Sequence, residues 1–398
     1  MILITIFVIL VFVYSLFSKR LEETVVTAPM IFCIAGMLIY FYNPVKEELH
    51  IESSTLLLLA EIGLVMTLFT DATHVNRDVL KQNRHMPVRL LTTGLLLTIL
   101  LGTVAAMVIF SELTIWEAGA LAAILAPTDA GLGQIIVNSP RVPERIRQSL
   151  NVEAGLNDGI SVPFLMFFIA LSLSSTQGAG TVLTRFVYEQ LGLGTLLGIA
   201  IGFLGGLFLS VARKKGWMNA SMQQLGLIAL PFLCVLASEP LGASMFIVAF
   251  IAGLAVQIRF KEAGTHSVEF TEGWGQLLNY FVFYLFGLFV ARAWGDFTVN
   301  MLIYAIVSLT VVRMVPVAIA LAGMKLSRST ILFMGWFGPR GLASIVLGLV
   351  YLEQETNTAG EGIVRLAVMV TVFLSILAHG LSTLPGINLY NRKLTNAE

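Results

Sequence analysis

The sequence predicts an all-α polytopic membrane protein of about thirteen transmembrane helices, with inverted repeats, two crossed discontinuous helices, an outside N-terminus and an inside C-terminus. Three observations predict it: the composition, the distribution of positive charge between loops, and two apolar segments broken at corresponding places. Of 398 residues, 57% are hydrophobic and 12% charged, against about 45–50% and about 25% in an average soluble domain. The 24 basic and 24 acidic residues cancel, so charge balance gives no case for nucleic acid as a partner.

Taken in order, segments long enough to cross a hydrocarbon core of about 30 Å fall near 2–17, 24–41, 54–70, 88–110, 115–138, 148–174, 190–212, 222–238, 241–258, 274–293, 297–323, 329–352 and 362–384. The first has no basic stretch ahead of it and no small-residue cleavage site. Its positive residues, Lys19 and Arg20, follow the apolar run, as in an uncleaved span entering from outside. The odd-numbered connections and the tail hold eighteen Lys and Arg, including Arg145, Lys214 and Arg392. The even-numbered ones hold only Lys46, Arg185, Arg292 and Arg365. A miscounted span would scramble that asymmetry, which sets an odd number of crossings.

The fifth segment is interrupted at Ala126-Pro127-Thr128-Asp129 and the twelfth at Gly338-Pro339-Arg340-Gly341. Proline removes a backbone donor, so each is an unwinding point whose freed carbonyls and amides need partners in protein or in a wet cavity. Two interrupted helices crossing in opposite senses point to a transporter with its site at the midplane. Asp129 stands where a half-helix N-terminus carries partial positive charge.

The sixth segment carries the most specific chemistry. Asn151, Ala154, Asp158 and Ser161 share one helical face, with Glu153 and Asn157 beside it. A charge at the bilayer centre costs about 3 kcal/mol or more, so carboxylates there are presumed functional. Glu153 reads as half of a buried ion pair, with Arg313 as first-choice partner and Arg340 as second. Asp158, desolvated and costly to leave bare, would hold either a proton or a small cation. A hard cation such as Na⁺ needs oxygens, which Asp158, Asp129, Thr128 and the carbonyls near Ala126 can supply. Competition for one carboxylate exposed to each side in turn gives coupled exchange.

Ala126-Pro127-Thr128-Asp129, then Glu153-Ala154-Gly155-Leu156-Asn157-Asp158-Gly159, then Gly335-Trp336-Phe337-Gly338-Pro339-Arg340-Gly341 resemble the signature segments of the NhaP-type sodium/proton antiporters of the monovalent cation:proton antiporter superfamily. The resemblance runs from the first apolar span to Leu384. It implies that Asp158 binds the ion and exchanges protons with Asn157 as its companion. It further implies that Thr128 and Asp129 belong to the unwound crossing, that Glu153 pairs with a core arginine, and that Asp71 marks the cytoplasmic entrance. It also implies a homodimer in which a translocation core, roughly 88–174 and 297–384, moves against scaffold and dimerisation helices, roughly 1–70 and 190–293. Residues 1–385 then form one membrane domain and 386–398 a short cytoplasmic tail.

Ala130 stands where the family usually has proline, and Ala154 where it often has serine. The second removes a hydroxyl from the Asp158 face and bears on cation affinity. One acid beside the neutral Asn157 suggests one proton per Na⁺ and electroneutral exchange.

The expected function is thus Na⁺ (or Li⁺) for H⁺ antiport in a prokaryotic inner membrane, with no cofactor beyond the transported ions. K⁺/H⁺ antiport is the alternative, and a cation channel a remote one. An intramembrane hydrolase would need a His-Glu-x-x-His or Gly-x-Ser-x-Gly motif, and neither occurs.

The remaining features read as scaffold. Gly194, Gly198, Gly202 and Gly206 form a ridge suited to close helix packing, within the subunit in preference to a dimer interface. Cys33 and Cys234 sit apart in apolar segments, and Glu61 is assigned a polar contact to a neighbouring helix. His74, His85, His266 and His379 show no metal-ligand spacing.

Overall fold

The computed structural model describes residues 2–21, 24–42, 53–73, 85–177, 184, 186–260, 269–353 and 358–395, so His74 and His266 lie outside it. Every regular element among them is helical: α1 (Ile2–Leu21), α2 (Ala28–Tyr42), α3 (Ser53–Thr73), α4 (His85–Ile109), α5 (Ile115–Ile124), α6 (Ala130–Asn138), α7 (Glu144–Gln177), α8 (Gly194–Lys214), α9 (Ala220–Ser238), α10 (Met245–Arg259), α11 (Glu269–Arg292), α12 (Val299–Ala320), α13 (Arg328–Trp336), α14 (Leu342–Glu353) and α15 (Glu361–Thr395). Eight helices among the described residues are long and apolar enough to cross a membrane.

The chain divides into two compact units. The first comprises 1–52, 85–154 and 279–398, the second 53–84 and 155–278, so α7 passes from one to the other after Ala154. In the first unit, the rings of Phe7, Phe32, Tyr280 and Tyr284 join α1, α2 and α11, with Phe32 and Tyr280 stacked at 4.6 Å. Such pairs contribute about 0.5–1.5 kcal/mol beyond the area they bury.

The second unit is organised by the glycine ridge of α8, which α10 occupies. A Cβ on Gly198 would stand 2.7 Å from the Val248 carbonyl oxygen, one on Gly206 would stand 2.6 Å from that of Val256, and one on Gly202 would overlap the Ala252 backbone. Without side chains between them the backbones meet directly, which is how helices associate where lipid supplies no hydrophobic contrast. The ridge is therefore filled within the subunit. On the opposite side, Leu196 and Phe208 are exposed. Further round, α10 packs on α3: the Gln257 amide donates to the carbonyls of Ala72, at 2.9 Å, and Thr73.

Gly202→Leu is expected to force α8 off α10 and leave little folded, monodisperse protein on detergent size-exclusion chromatography. Leu196→Ala, on the exposed face, should leave the profile unchanged.

Candidate functional site

Both interruptions expected from the sequence are in the backbone. Helix α5 stops at Ile124 and α6 restarts at Ala130, while α13 stops at Trp336 and α14 restarts at Leu342. The two linking segments are bonded to each other, because the Asp129 backbone N–H donates to the Pro339 carbonyl at 2.8 Å.

The Asp129 side chain, 7% exposed, ties them again. Its Oδ1 accepts the Leu132 N–H at 2.7 Å and its Oδ2 accepts the Leu342 N–H at 2.6 Å. One carboxylate thus caps the amino ends of α6 and α14 together, where two sets of unpaired amides and two positive dipole ends converge. A Cβ on Gly341 would fall on this carboxylate, so only glycine lets Asp129 reach the second helix.

Arg340 serves the opposite polarity. Fully buried, it donates from Nη1 to the carbonyls of Ala126, at 2.8 Å, and Pro127, at 2.9 Å, just past the carboxyl end of α5. A cation on carbonyls that have lost their helical donors is the favourable sign at that end.

Glu153 pairs with Arg313 through Oε1 and Nη1 at 2.5 Å, leaving Arg340 to the helix break. The Arg313 guanidinium lies against the Cα of Gly338, where an added Cβ would come within 2.7 Å of its Cζ. The ion pair and the α13–α14 break are therefore packed on one another. Beside them a cavity of about 20 Å³, lined by Thr128, Asp129, Asn151, Ala154, Phe337 and Pro339 among others, accommodates a water-sized occupant. Methyl-bearing Ala154 presents no hydrogen-bonding group there.

In the second unit α7 continues through Asn157 and Asp158, 2% and 6% exposed. The Ser161 hydroxyl on the Asp158 face donates to the Asp158 backbone carbonyl at 2.9 Å, an ordinary arrangement for a helical serine, and so is spent on its own helix. Asp71, near the end of α3, packs against α7, where a Cβ on Gly155 would stand 3.5 Å from the Asp71 Cβ. The first unit thus brings together Thr128, Asp129, Glu153, Arg313 and Arg340, and the second holds Asn157, Asp158 and Asp71.

Two polar positions were not singled out from sequence. Glu117, 2% exposed, closes a capping box with Thr114, its Oε2 accepting the Thr114 N–H at 2.8 Å, and its Oε1 accepts the Gly360 N–H at 3.0 Å. The Thr-x-x-Glu spacing was its signal. His379 lies in a buried stripe on α15 with Thr371, Ser375 and Thr383. The repeat of four along an apolar helix would have revealed it.

Two interrupted helices, laced end to end by one buried acid and one buried arginine, define an integral membrane protein of the discontinuous-helix class. The chain belongs to the sodium/hydrogen exchanger transmembrane family, which it matches over residues 6–387. It is 29% identical over 224 residues to the sodium, potassium, lithium and rubidium/H⁺ antiporter of Bacillus subtilis, covering 56% of this chain and 32% of that protein. It is 24% identical over 387 residues to the K⁺/H⁺ antiporter NhaP of Alkalimonas amylolytica, covering 94% and 63%. The chain thus spans about a third of the first relative's length and less than two thirds of the second's. Its fold is similar to that of the sodium proton antiporter MjNhaP1 of Methanocaldococcus jannaschii, with a TM-score of 0.74 at 19% identity over 98% of this chain and 99% of that one.

Removing one partner of a buried ion pair costs about 3–5 kcal/mol, while replacing both by apolar groups is often neutral. Glu153→Ala should therefore lower the melting temperature sharply in detergent, and Glu153→Leu combined with Arg313→Leu should recover most of it.

Proposed function

We propose that this chain is a secondary antiporter that exchanges Na⁺ or Li⁺ for H⁺ by alternating access, one proton per cation, in a prokaryotic inner membrane. In this reading it has thirteen spans, an outside N-terminus and an inside C-terminus, and α5–α6 crosses α13–α14 as paired members of an inverted repeat. It works as a homodimer whose translocation core, roughly 88–174 and 297–384, moves against a scaffold, with Asp71 at the cytoplasmic entrance.

The observation that carries the reading is Asp158, a carboxylate 6% exposed in the middle of an apolar 34-residue helix, in a chain of the sodium/hydrogen exchanger family. Burying such a group in its charged form is expensive, so taking up a proton or a cation there is favoured. Thr128 supplies an oxygen suited to a hard cation, while the Ala126 and Pro127 carbonyls of its segment are engaged by Arg340. Asp129, with both oxygens engaged by backbone amides, acts mainly by holding that segment in shape. Asn157 gives a neutral neighbour, so discharging one cation requires one proton and moves no net charge.

K⁺ in place of Na⁺ is the second reading. Ala154 supports it by withdrawing a hydroxyl from the helix face and leaving the cavity roomier, which favours a larger, less tightly coordinated ion. The relatives named for K⁺ add to it.

Everted vesicles carrying the wild type should dissipate a pH gradient on addition of Na⁺ or Li⁺, saturably, and K⁺ at equal concentration ranks the second reading. Asp158→Asn should abolish the response while accumulating as folded protein. In proteoliposomes, one-for-one exchange predicts rates that are indifferent to an imposed membrane potential. Undiminished exchange in Asp158→Asn would refute the assignment.

A further inference from the structure

Four half-helix ends meet at the two breaks, and the site described so far accounts for three. Asp129 caps the amino ends of α6 and α14, and Arg340 takes the carbonyls beyond α5. The fourth is the carboxyl end of α13. Its last carbonyl, that of Trp336, lies 2.9 Å from Nε2 of His379, which is 2% exposed. A carbonyl only accepts, so Nε2 carries the hydrogen. Nδ1 lies 3.0 Å from the Ser375 carbonyl and 3.1 Å from the Ser375 hydroxyl, and that hydroxyl oxygen accepts the Arg340 backbone N–H at 2.6 Å. The imidazole rests tilted on the Trp336 ring with centroids 5.0 Å apart, and the Trp336 Nε1–H donates to Ser382 Oγ at 2.9 Å.

We propose that His379 is a positioning residue: it caps the carboxyl end of α13 and, through Ser375, fixes the backbone from which Arg340 reaches the α5 carbonyls. It is the counterpart, in the twelfth span, of what Arg340 does in the fifth. The inference rests on the exchange reading above, because the Ala126 and Pro127 carbonyls that Arg340 holds adjoin Thr128. A slackened Arg340 loosens the segment that carries Thr128 and weakens cation binding before it slows the transport cycle.

The test compares His379→Gln, His379→Asn and Ser375→Ala with wild type in proteoliposomes, reading KM for Na⁺ and K⁺, maximal rate, and deuterium uptake by peptides covering 337–342. Glutamine carries an amide N–H near the distal ring nitrogen, whereas asparagine reaches only the proximal one. The Trp336 carbonyl also accepts the Gly338 N–H at 2.9 Å, so His379→Asn removes one of its two hydrogen bonds and is expected to raise KM about fivefold, the effect of losing one ordinary hydrogen bond, with a smaller change in maximal rate. His379→Gln should stay within about twofold of wild type, since it restores that hydrogen bond. Deuterium uptake should rise in His379→Asn and Ser375→Ala only.

Equal behaviour of Gln and Asn variants would overturn the proposal, as would a loss of thermal stability with KM and uptake unchanged. Should His379→Asn fail to fold, Ser375→Ala applies the same criteria with the ring intact. If the wild type exchanges no alkali cation, the functional reading falls, while deuterium uptake, which needs no transport, still decides the role of His379.

Discussion

The structure of the first unit depends on one carboxylate reaching two helices. Asp129 accepts an amide from Leu132 in its own span and another from Leu342, 213 residues away in sequence. Hydrogen bonds to a charged group contribute about 1.5–3 kcal/mol each, and here each also answers the positive end of a helix dipole. Without the carboxylate, two sets of amides would stand unpaired at membrane depth, where no bulk water replaces it. The chain can interrupt two membrane helices only because their exposed ends are served by side chains of opposite sign.

Polarity decides which residue serves which end. The amino ends of α6 and α14 take an acid, and the carbonyls beyond α5 take a guanidinium. Arg340 gives its Nη1 to those carbonyls, and the partner of Glu153 is Arg313. Asp129, Arg340 and the Glu153–Arg313 pair thereby each meet a distinct electrostatic counterpart.

Much of this was legible in the sequence because its signals are local. Pro127 and Pro339, each near a charged residue, mark the breaks, whereas Pro163, Pro231, Pro316 and Pro385 stay inside helices; Glu153, Arg313 and Arg340 mark charges that burial obliges to find company. The i+4 glycines announced a close helix contact, and Val248, Ala252 and Val256 of α10 fill it. What stayed hidden was which partner each polar group takes. Nothing near Asp129 tells that its second oxygen belongs to Leu342, and the spacing that puts Ser161 on the Asp158 face does not tell that its hydroxyl turns to a carbonyl. Glu117 and His379 were passed over for different reasons. The first looks like an ordinary helix start until Gly360 arrives at its other oxygen. The second lacks the spacing of a metal ligand, and its value lies in a carbonyl 43 residues upstream.

The Arg313 guanidinium fills the space that a side chain at Gly338 would occupy. Glycine there is a socket, and the arginine is the pin seated in it. Any displacement of the α13–α14 linker drags α12 along, together with the Glu153 turn of α7 that grips the pin from the other side. One guanidinium thereby couples the α13–α14 linker, α12 and the Glu153 turn of α7 into a single packed assembly within the first unit.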